Sequence, residues 1–134
     1  MNHLNLKFHS NHHADIHYKN IILGCEPTIM GIGPVPAIRG LLGKADMKID
    51  DIDQVEINEA FGAQALSCQK ELGIDMNKFN TCGGAIALGH PLAASGSRIS
   101  AHLVHKLRQN GEKFGLGSAC IGGGQGIAIL LEKV

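Results

Sequence analysis

Two apolar runs of strand length close this chain, Phe114 to Ala119 and Ile127 to Leu131, and between them stand Cys120 and the glycines Gly122, Gly123, Gly124 and Gly126. A turn that rich in glycine can adopt backbone angles closed to other residues, so the two runs pair most simply as an antiparallel hairpin. Without Cβ atoms the turn can also bring backbone N–H groups against a ligand, and a thiol held there can exchange a proton with it. The end of the chain therefore reads as both a folding element and a working site.

Upstream, strand-length runs alternate with helical stripes. Ile21, Ile22 and Leu23, ending at Gly24, predict a short buried strand, and Pro27 to Pro36, with Gly31 and Gly33, a loop. Ile38, Leu41, Leu42 and Ala45 form the apolar face of a helix entered just after Pro36. Asp50, Asp51 and Asp53 make a polar turn before a second strand, Val55 to Ile57. Phe61, Ala65, Cys68 and Leu72 then recur at helical spacing, so a second helix starts within Asn58 to Phe61 and carries Cys68 in the core. Phe79 to Gly84 predicts a brief third strand. A loop through Gly89-His90-Pro91 and Ser95-Gly96-Ser97 leads to a third helix with Ile99, Leu103 and Leu107 on its core face and Gly111 at its end. The sum is an α/β chain of order βαβαβαββ, a mixed sheet with helices on its faces. The βα alternation predicts mostly parallel pairing and ligand sites in the loops at strand ends.

Composition narrows the partners. The 134 residues, 44% of them hydrophobic, suit one globular domain able to bury a core. Basic and acidic residues balance at 12 each, which leaves no basic footprint for nucleic acid and points to a small-molecule partner. The longest apolar runs fall far short of the roughly 20 residues of a membrane-spanning helix. Cys25, Cys68, Cys82 and Cys120 form no Cys-x-x-Cys pair and follow no secretory signal, an arrangement expected in a reducing compartment. Residues 1–17 differ from the rest, with five of the eight histidines and no glycine. His9, His13 and His17 would share one helix face and could hold a divalent metal. The segment has no helix-forming apolar stripe, and no Cys or carboxylate completes an evident ligand set, so it is expected to be disordered and metal-free, with the folded domain spanning 18–134. It does not read as a mitochondrial presequence, having Lys7 and no Arg.

Three islands carry chemistry: Asn58-Glu59-Ala60-Phe61; Gly83-Gly84-Ala85-Ile86-Ala87-Leu88-Gly89-His90-Pro91; and Cys120-Ile121-Gly122-Gly123-Gly124-Gln125-Gly126. The second has the glycine spacing of a phosphate-binding loop, but His90 and Pro91 stand where Lys and Ser or Thr are required, and no Gly-x-Gly-x-x-Gly fingerprint occurs. Nucleotide hydrolysis and dinucleotide chemistry are excluded. Taken singly, Asn58 could be a helix cap, His90 a loop residue bonded to backbone, Cys120 an inert thiol and the glycines a tight hairpin. Taken together and in this order, the islands resemble the three C-terminal signatures of the thiolase family. The likeness runs from about Tyr18 to the end of the chain, and Thr28 to Pro36 looks most like the family's mitochondrial 3-ketoacyl-CoA branch.

That resemblance implies the fold of a thiolase C-terminal half and acyl-CoA:acetyl-CoA C-acyltransferase chemistry, of the kind used in fatty-acid β-oxidation or on acetoacetyl-CoA. Coenzyme A and its thioesters enter as substrates, with no further cofactor. By resemblance Cys120 is the acid and base, its pKa expected to be lowered by polar neighbours; His90 and a water held by Asn58 receive the enolate oxygen; the Gly122 N–H meets a thioester oxygen; Phe61 lines the pocket. Ala93 and Cys82 stand where the family usually has glycine and asparagine, which could crowd the loop around His90. The family's nucleophilic cysteine belongs to its other half, and Cys25 lacks the nucleophile's surroundings. The expected partners are therefore an N-terminal thiolase half or a second copy, drawn to an apolar strip of Ile99, Leu103 and Val104 left open to water. The alternative is an inactive fragment serving as an interaction module or having no role. The branch implies a mitochondrial location, with cytoplasm or peroxisome as alternatives.

Overall fold

The structure is a computed structural model that describes residues 16–134. Four strands, β1 (Ile16–Gly24), β2 (Gln54–Ile57), β3 (Phe114–Ile121) and β4 (Gln125–Lys133), form one sheet in the order β1-β4-β3-β2. The β3–β4 hairpin expected from the closing runs is its centre, with Ile121 opposite Gln125, and Gly123 and Gly124 both at φ 87° in the turn. Those angles are strained for any residue with a side chain. β1 pairs antiparallel with β4, and only β2–β3 is parallel, so the sheet is mixed and not mostly parallel.

Helices cover both faces. α1 (Pro34–Ala45) starts three residues earlier than expected, with Pro34 and Pro36 in its first turn, where a missing N–H costs nothing. Its Ile38, Leu41 and Leu42 join Val55, Ile57, Leu116 and Leu130 of the sheet and Ala65 and Cys68 of α2 (Gly62–Leu72) in the larger core. The expected loop 27–36 is for the most part a 3-10 turn, Pro27–Ile32, before α1 begins. A Cβ on Gly126 would overlap the carbonyl of Gly33, so this glycine lets the entry to α1 lie directly on the start of β4. The opposite face carries α4 (Ser95–Asn110), reached through the short helix α3 (Ala85–Leu88). Gly111, at φ 71°, ends α4 in a left-handed cap as expected.

Several expectations are corrected. Phe79 to Gly84 is not a strand: one parallel bridge joins Phe79 to Val55, after which Asn80 at φ 44° and Gly83 at φ 80° turn the chain away. Phe61 does not begin the buried stripe of α2; it precedes the helix with 70% of its surface exposed. The strip of Ile99, Leu103 and Val104 is not open to water either. Ile99, Leu103 and Leu107 are buried against Leu131 and Ile129 of the sheet, over Gly115 and Gly117, whose missing side chains let α4 approach. An open apolar surface lies on the sheet beside the helix. There Tyr18 and Ile22 of β1 are 37% and 55% exposed, next to a cavity of about 260 Å³ lined by Asn20, Gly96, Ile99, Gly117, Ile127 and Ile129. β1 also begins at Ile16, so His17 is a strand residue opposite Glu132, while His9 and His13 lie outside the described residues. Among the described residues no helix is long and apolar enough to cross a membrane.

Burial of Leu103 separates the two placements of α4. Leu103→Ala should lower unfolding stability by roughly 2 to 5 kcal/mol in urea denaturation, the usual cost of emptying a core site. A loss under about 0.5 kcal/mol, as for a surface position, would contradict the packing of α4 on the sheet.

Candidate active site

Parallel pairing sends β2 and β3 out of the sheet at the same edge. Ile57 lies opposite Ser118, and the Asn58 N–H donates to the Ser118 carbonyl at 2.8 Å, extending the ladder one step past β2. Cys120 follows two residues further along β3, so Asn58 and Cys120 both stand at the carboxyl ends of neighbouring parallel strands, where α/β sheets place their ligands. Asn58 is 1% exposed and caps no helix.

His90 reaches this edge on the loop between α3 and α4. Its Nε2 lies 3.2 Å from Asn58 Nδ2, and its Nδ1 lies 2.6 Å from Ser95 Oγ, so its partners are side chains and not backbone. The Oδ1 of Asn58 is buried with no hydrogen-bond partner among the described residues, a free acceptor at the centre of the cluster. Such an orphan costs about 1 to 3 kcal/mol in a closed interior and is a common mark of a functional position.

Two clamps hold the loop and the helix to β2. In the first, the Asn80 side chain takes the place of a neighbouring strand: Oδ1 accepts from Ile57 N–H at 3.0 Å, and Nδ2 donates to the Ile57 carbonyl at 3.0 Å and to Glu59 Oε1 at 2.9 Å. Glu59 Oε2 in turn accepts from Ile86 N–H at 3.0 Å, at the start of the segment that carries His90. In the second, Glu56, 2% exposed on β2, meets Arg98 Nη1 at 2.5 Å and His102 Nε2 at 3.4 Å, one turn apart on α4. Burial pushes the Glu56 carboxyl up from its ordinary pKa, and the Arg98 guanidinium opposes it. His102 is pushed down by the same burial and then by neighbouring cations.

The remaining predicted residues stand apart from this hydrogen-bonded cluster. Cys120 is half-buried and makes no side-chain hydrogen bond to Asn58 or His90, and Gly122 lies exposed in the hairpin turn. A Cβ on Gly122 would meet nothing, so within this chain the glycine there is not needed for space. Phe61 faces solvent in company with other exposed apolar side chains, Ile86, Leu88 and Leu92. Cys82 and Ala93 are exposed too, so neither is packed against the loop. The expected lowering of the Cys120 pKa is reversed: burial raises it, with the Cys25 thiol acting in the same direction. All four cysteines are free thiols, and Cys68, pushed up to about 11 by burial, is inert core. Among the described residues no three His, Cys, Asp or Glu side chains are grouped to hold a metal ion. Sequence reasoning missed Ser95, Asn80 and the Glu56–Arg98 pair; only Glu59, inside the first motif, carried a signal.

The chain belongs to the thiolase family, with residues 13–133 matching the model of the thiolase C-terminal domain. It is similar to the mitochondrial 3-ketoacyl-CoA thiolases of Bos taurus, at 63% identity, and of Homo sapiens, at 60%, over 112 residues that make up 84% of this chain. The chain spans about 28% of the length of each of these relatives. The crystal structure of human mitochondrial 3-ketoacyl-CoA thiolase in complex with CoA superposes with a TM-score of 0.88 at 55% identity, over 90% of this chain and 31% of that one. The Bacillus anthracis acetyl-CoA acetyltransferase superposes at 0.87 with 44% identity, over 89% of this chain and 30% of that one.

The raised Cys120 pKa sets an expectation for its reactivity. Only the thiolate is alkylated, so the pH dependence of iodoacetamide labelling, followed on the Cys120 peptide by mass spectrometry, should have its midpoint above the ordinary thiol value of about 8.5. A midpoint below that value would show that polar neighbours outweigh burial.

Proposed function

We propose that this chain supplies the acid and base half of a 3-ketoacyl-CoA thiolase site. The reading rests on one observation above all: the Asn58 and His90 side chains meet at the edge of the sheet where Cys120 also emerges. In the cleavage direction a cysteine of the complementary half attacks the 3-keto carbon of the substrate. The bond between C2 and C3 breaks and its electron pair passes to the acetyl-CoA fragment as an enolate. Cys120 gives that carbon its S–H proton, and coenzyme A then takes the shortened acyl group from the partner cysteine. In condensation the same thiolate removes the α-proton of acetyl-CoA. A raised pKa suits the first step by keeping the proton on Cys120 at neutral pH and makes the thiolate a stronger base in the second.

The enolate oxygen needs donors already in place, since preorganised hydrogen bonds stabilise developing charge more than bulk water does. His90 Nε2 and a water held on the buried side chain of Asn58 fill that part. The Gly122 N–H in the exposed turn would meet the thioester oxygen of the acyl-enzyme, and Phe61 would border the acyl-CoA passage. The open apolar sheet surface at Tyr18, Ile22, Ile127 and Ile129 suits docking of an N-terminal thiolase half or a second copy. The mitochondrial 3-ketoacyl-CoA thiolases among the similar proteins support a mitochondrial location for this chain, and the family resemblance supports a role in fatty-acid β-oxidation.

The purified chain alone should show no measurable cleavage of acetoacetyl-CoA by coenzyme A. Mixed with an N-terminal thiolase half it should gain turnover, which Cys120→Ala should lower by roughly 10²- to 10⁴-fold, the usual contribution of a positioned acid and base. Absence of rescue in a mixture shown by sedimentation to contain the complex would favour an inactive interaction module, and turnover by the chain alone would overturn the division of the site.

A further inference from the structure

His90 sits on a stretch that no core packing holds. Ala85 and Ser95 are buried, at 6% and 5% exposure, but every residue from Ile86 to Ala94 between them is exposed. The stretch is the single turn of α3 followed by a loop, and a helix that short has no stability of its own. Two consecutive residues at the end of β2 grip it instead. Asn58 meets His90, Nδ2 lying 3.2 Å from Nε2, and Glu59 takes the other end, its Oε2 accepting from the Ile86 N–H at 3.0 Å. That N–H belongs to the first turn of α3, where the helix itself offers no acceptor.

The Glu59 carboxyl is held in turn. Oε1 accepts from Asn80 Nδ2 at 2.9 Å, and the same amide closes the free edge of β2 at Ile57. Gly84 supplies the space. A Cβ there would lie 2.6 Å from Glu59 Cδ and Oε2 and 2.9 Å from Oε1, the atoms nearest to it. The φ of Gly84, −132°, is not the positive angle that favours glycine, so what this position demands is the missing side chain.

We propose that Glu59 is a positioning residue for His90: it clips the start of α3 to the end of β2, in the gap left by Gly84, and so sets where the imidazole stands against Asn58. It acts through His90 and takes no part in proton transfer. The effect on turnover rests on the thiolase reading; the coupling of Glu59 to His90 does not.

The test compares the full chain with Glu59→Ala, Gly84→Ala and the double variant by NMR. The unsubstituted chain should show cross-relaxation between the Asn58 carboxamide protons and the His90 ring, assigned by its loss in His90→Gln, and slow hydrogen exchange at the Ile86 N–H. Glu59→Ala should lose the first and speed the second by roughly tenfold or more, as a local opening does. Gly84→Ala should do the same by displacing the carboxyl, and should add nothing once Glu59 is truncated. In the complex with an N-terminal thiolase half, Glu59→Ala should lower kcat for acetoacetyl-CoA cleavage by roughly 10- to 100-fold, the cost of a small misplacement. In a His90→Gln background it should lower kcat by less than about twofold further, because a residue that acts only through His90 has nothing left to position. A merely structural role would cost the same in both backgrounds.

Unchanged core amide signals establish that each variant is folded, and Gly84→Ala replaces Glu59→Ala if the latter is not. An Ile86 N–H that exchanges without protection in the unsubstituted chain, an Asn58–His90 contact that survives in folded Glu59→Ala, or losses that add in the Glu59 and His90 double variant would each overturn the proposal. If an N-terminal half gives no turnover, the exchange and contact measurements still decide it, so the two readings fail separately.

Discussion

One parallel strand pair decides where the chemistry of this domain lies. β3 is bound on its other side to β4 by a hairpin, which alone would put Cys120 beside a glycine turn with nothing opposite. Pairing β2 in parallel to β3 brings the carboxyl end of a second strand to the same edge, and the Asn58 N–H to Ser118 carbonyl bond carries that pairing one residue beyond the strand. β2 has only four residues, all buried, so few ladder bonds fix its position. The side chains around it supply the rest. Asn80 closes the free edge at Ile57 as another strand would, and Glu56 ties the far face to α4 through Arg98.

The Glu56–Arg98 pair illustrates how the site is held at an energetic cost. A carboxylate this buried is unfavourable in isolation, which is the meaning of its raised pKa, and its pairing offsets much of that penalty. Such a pair adds little net stability, but with one partner removed the other is left as an uncompensated buried charge. It therefore specifies the angle and register of α4 on the sheet more than it strengthens the fold. α4 carries Ser95 in its first turn, so the position of His90 depends on that register, as the length of the 3.2 Å contact to Asn58 does.

Much of the fold was legible because it is written in local patterns. The closing hairpin follows from two apolar runs and a glycine turn, and the core faces of α1 and α4 from residues at helical spacing. The functional islands could be read only as a set. What stayed hidden depends on contacts between distant segments. Phe79 to Gly84 has the composition of a strand, but the side chain of Asn80 pairs with Ile57 and lets the backbone leave in a turn. Phe61 fits the stripe of α2 by spacing, yet it stands before the first turn and faces water. The spacing of Ile99, Leu103 and Val104 suggests an apolar strip open to water on α4, but Gly115 and Gly117 let that helix sink onto its own sheet, and an open apolar surface lies instead on β1 and β4. The pKa of Cys120 had its direction reversed because burial, invisible in a sequence, exceeds the effect of its polar neighbours.

The central claim is that Cys120 moves a proton and forms no bond to the acyl group. The most direct measurement follows hydrogen–deuterium exchange at the α-carbon of acetyl-CoA, in D₂O, in the complex of this chain with an N-terminal thiolase half, alongside acetylation of the nucleophilic cysteine by mass spectrometry. The account predicts that Cys120→Ala abolishes the exchange while the partner cysteine is still acetylated. Exchange that persists undiminished in the acetylated variant, or an acyl group found on Cys120 in the unsubstituted complex, would contradict it.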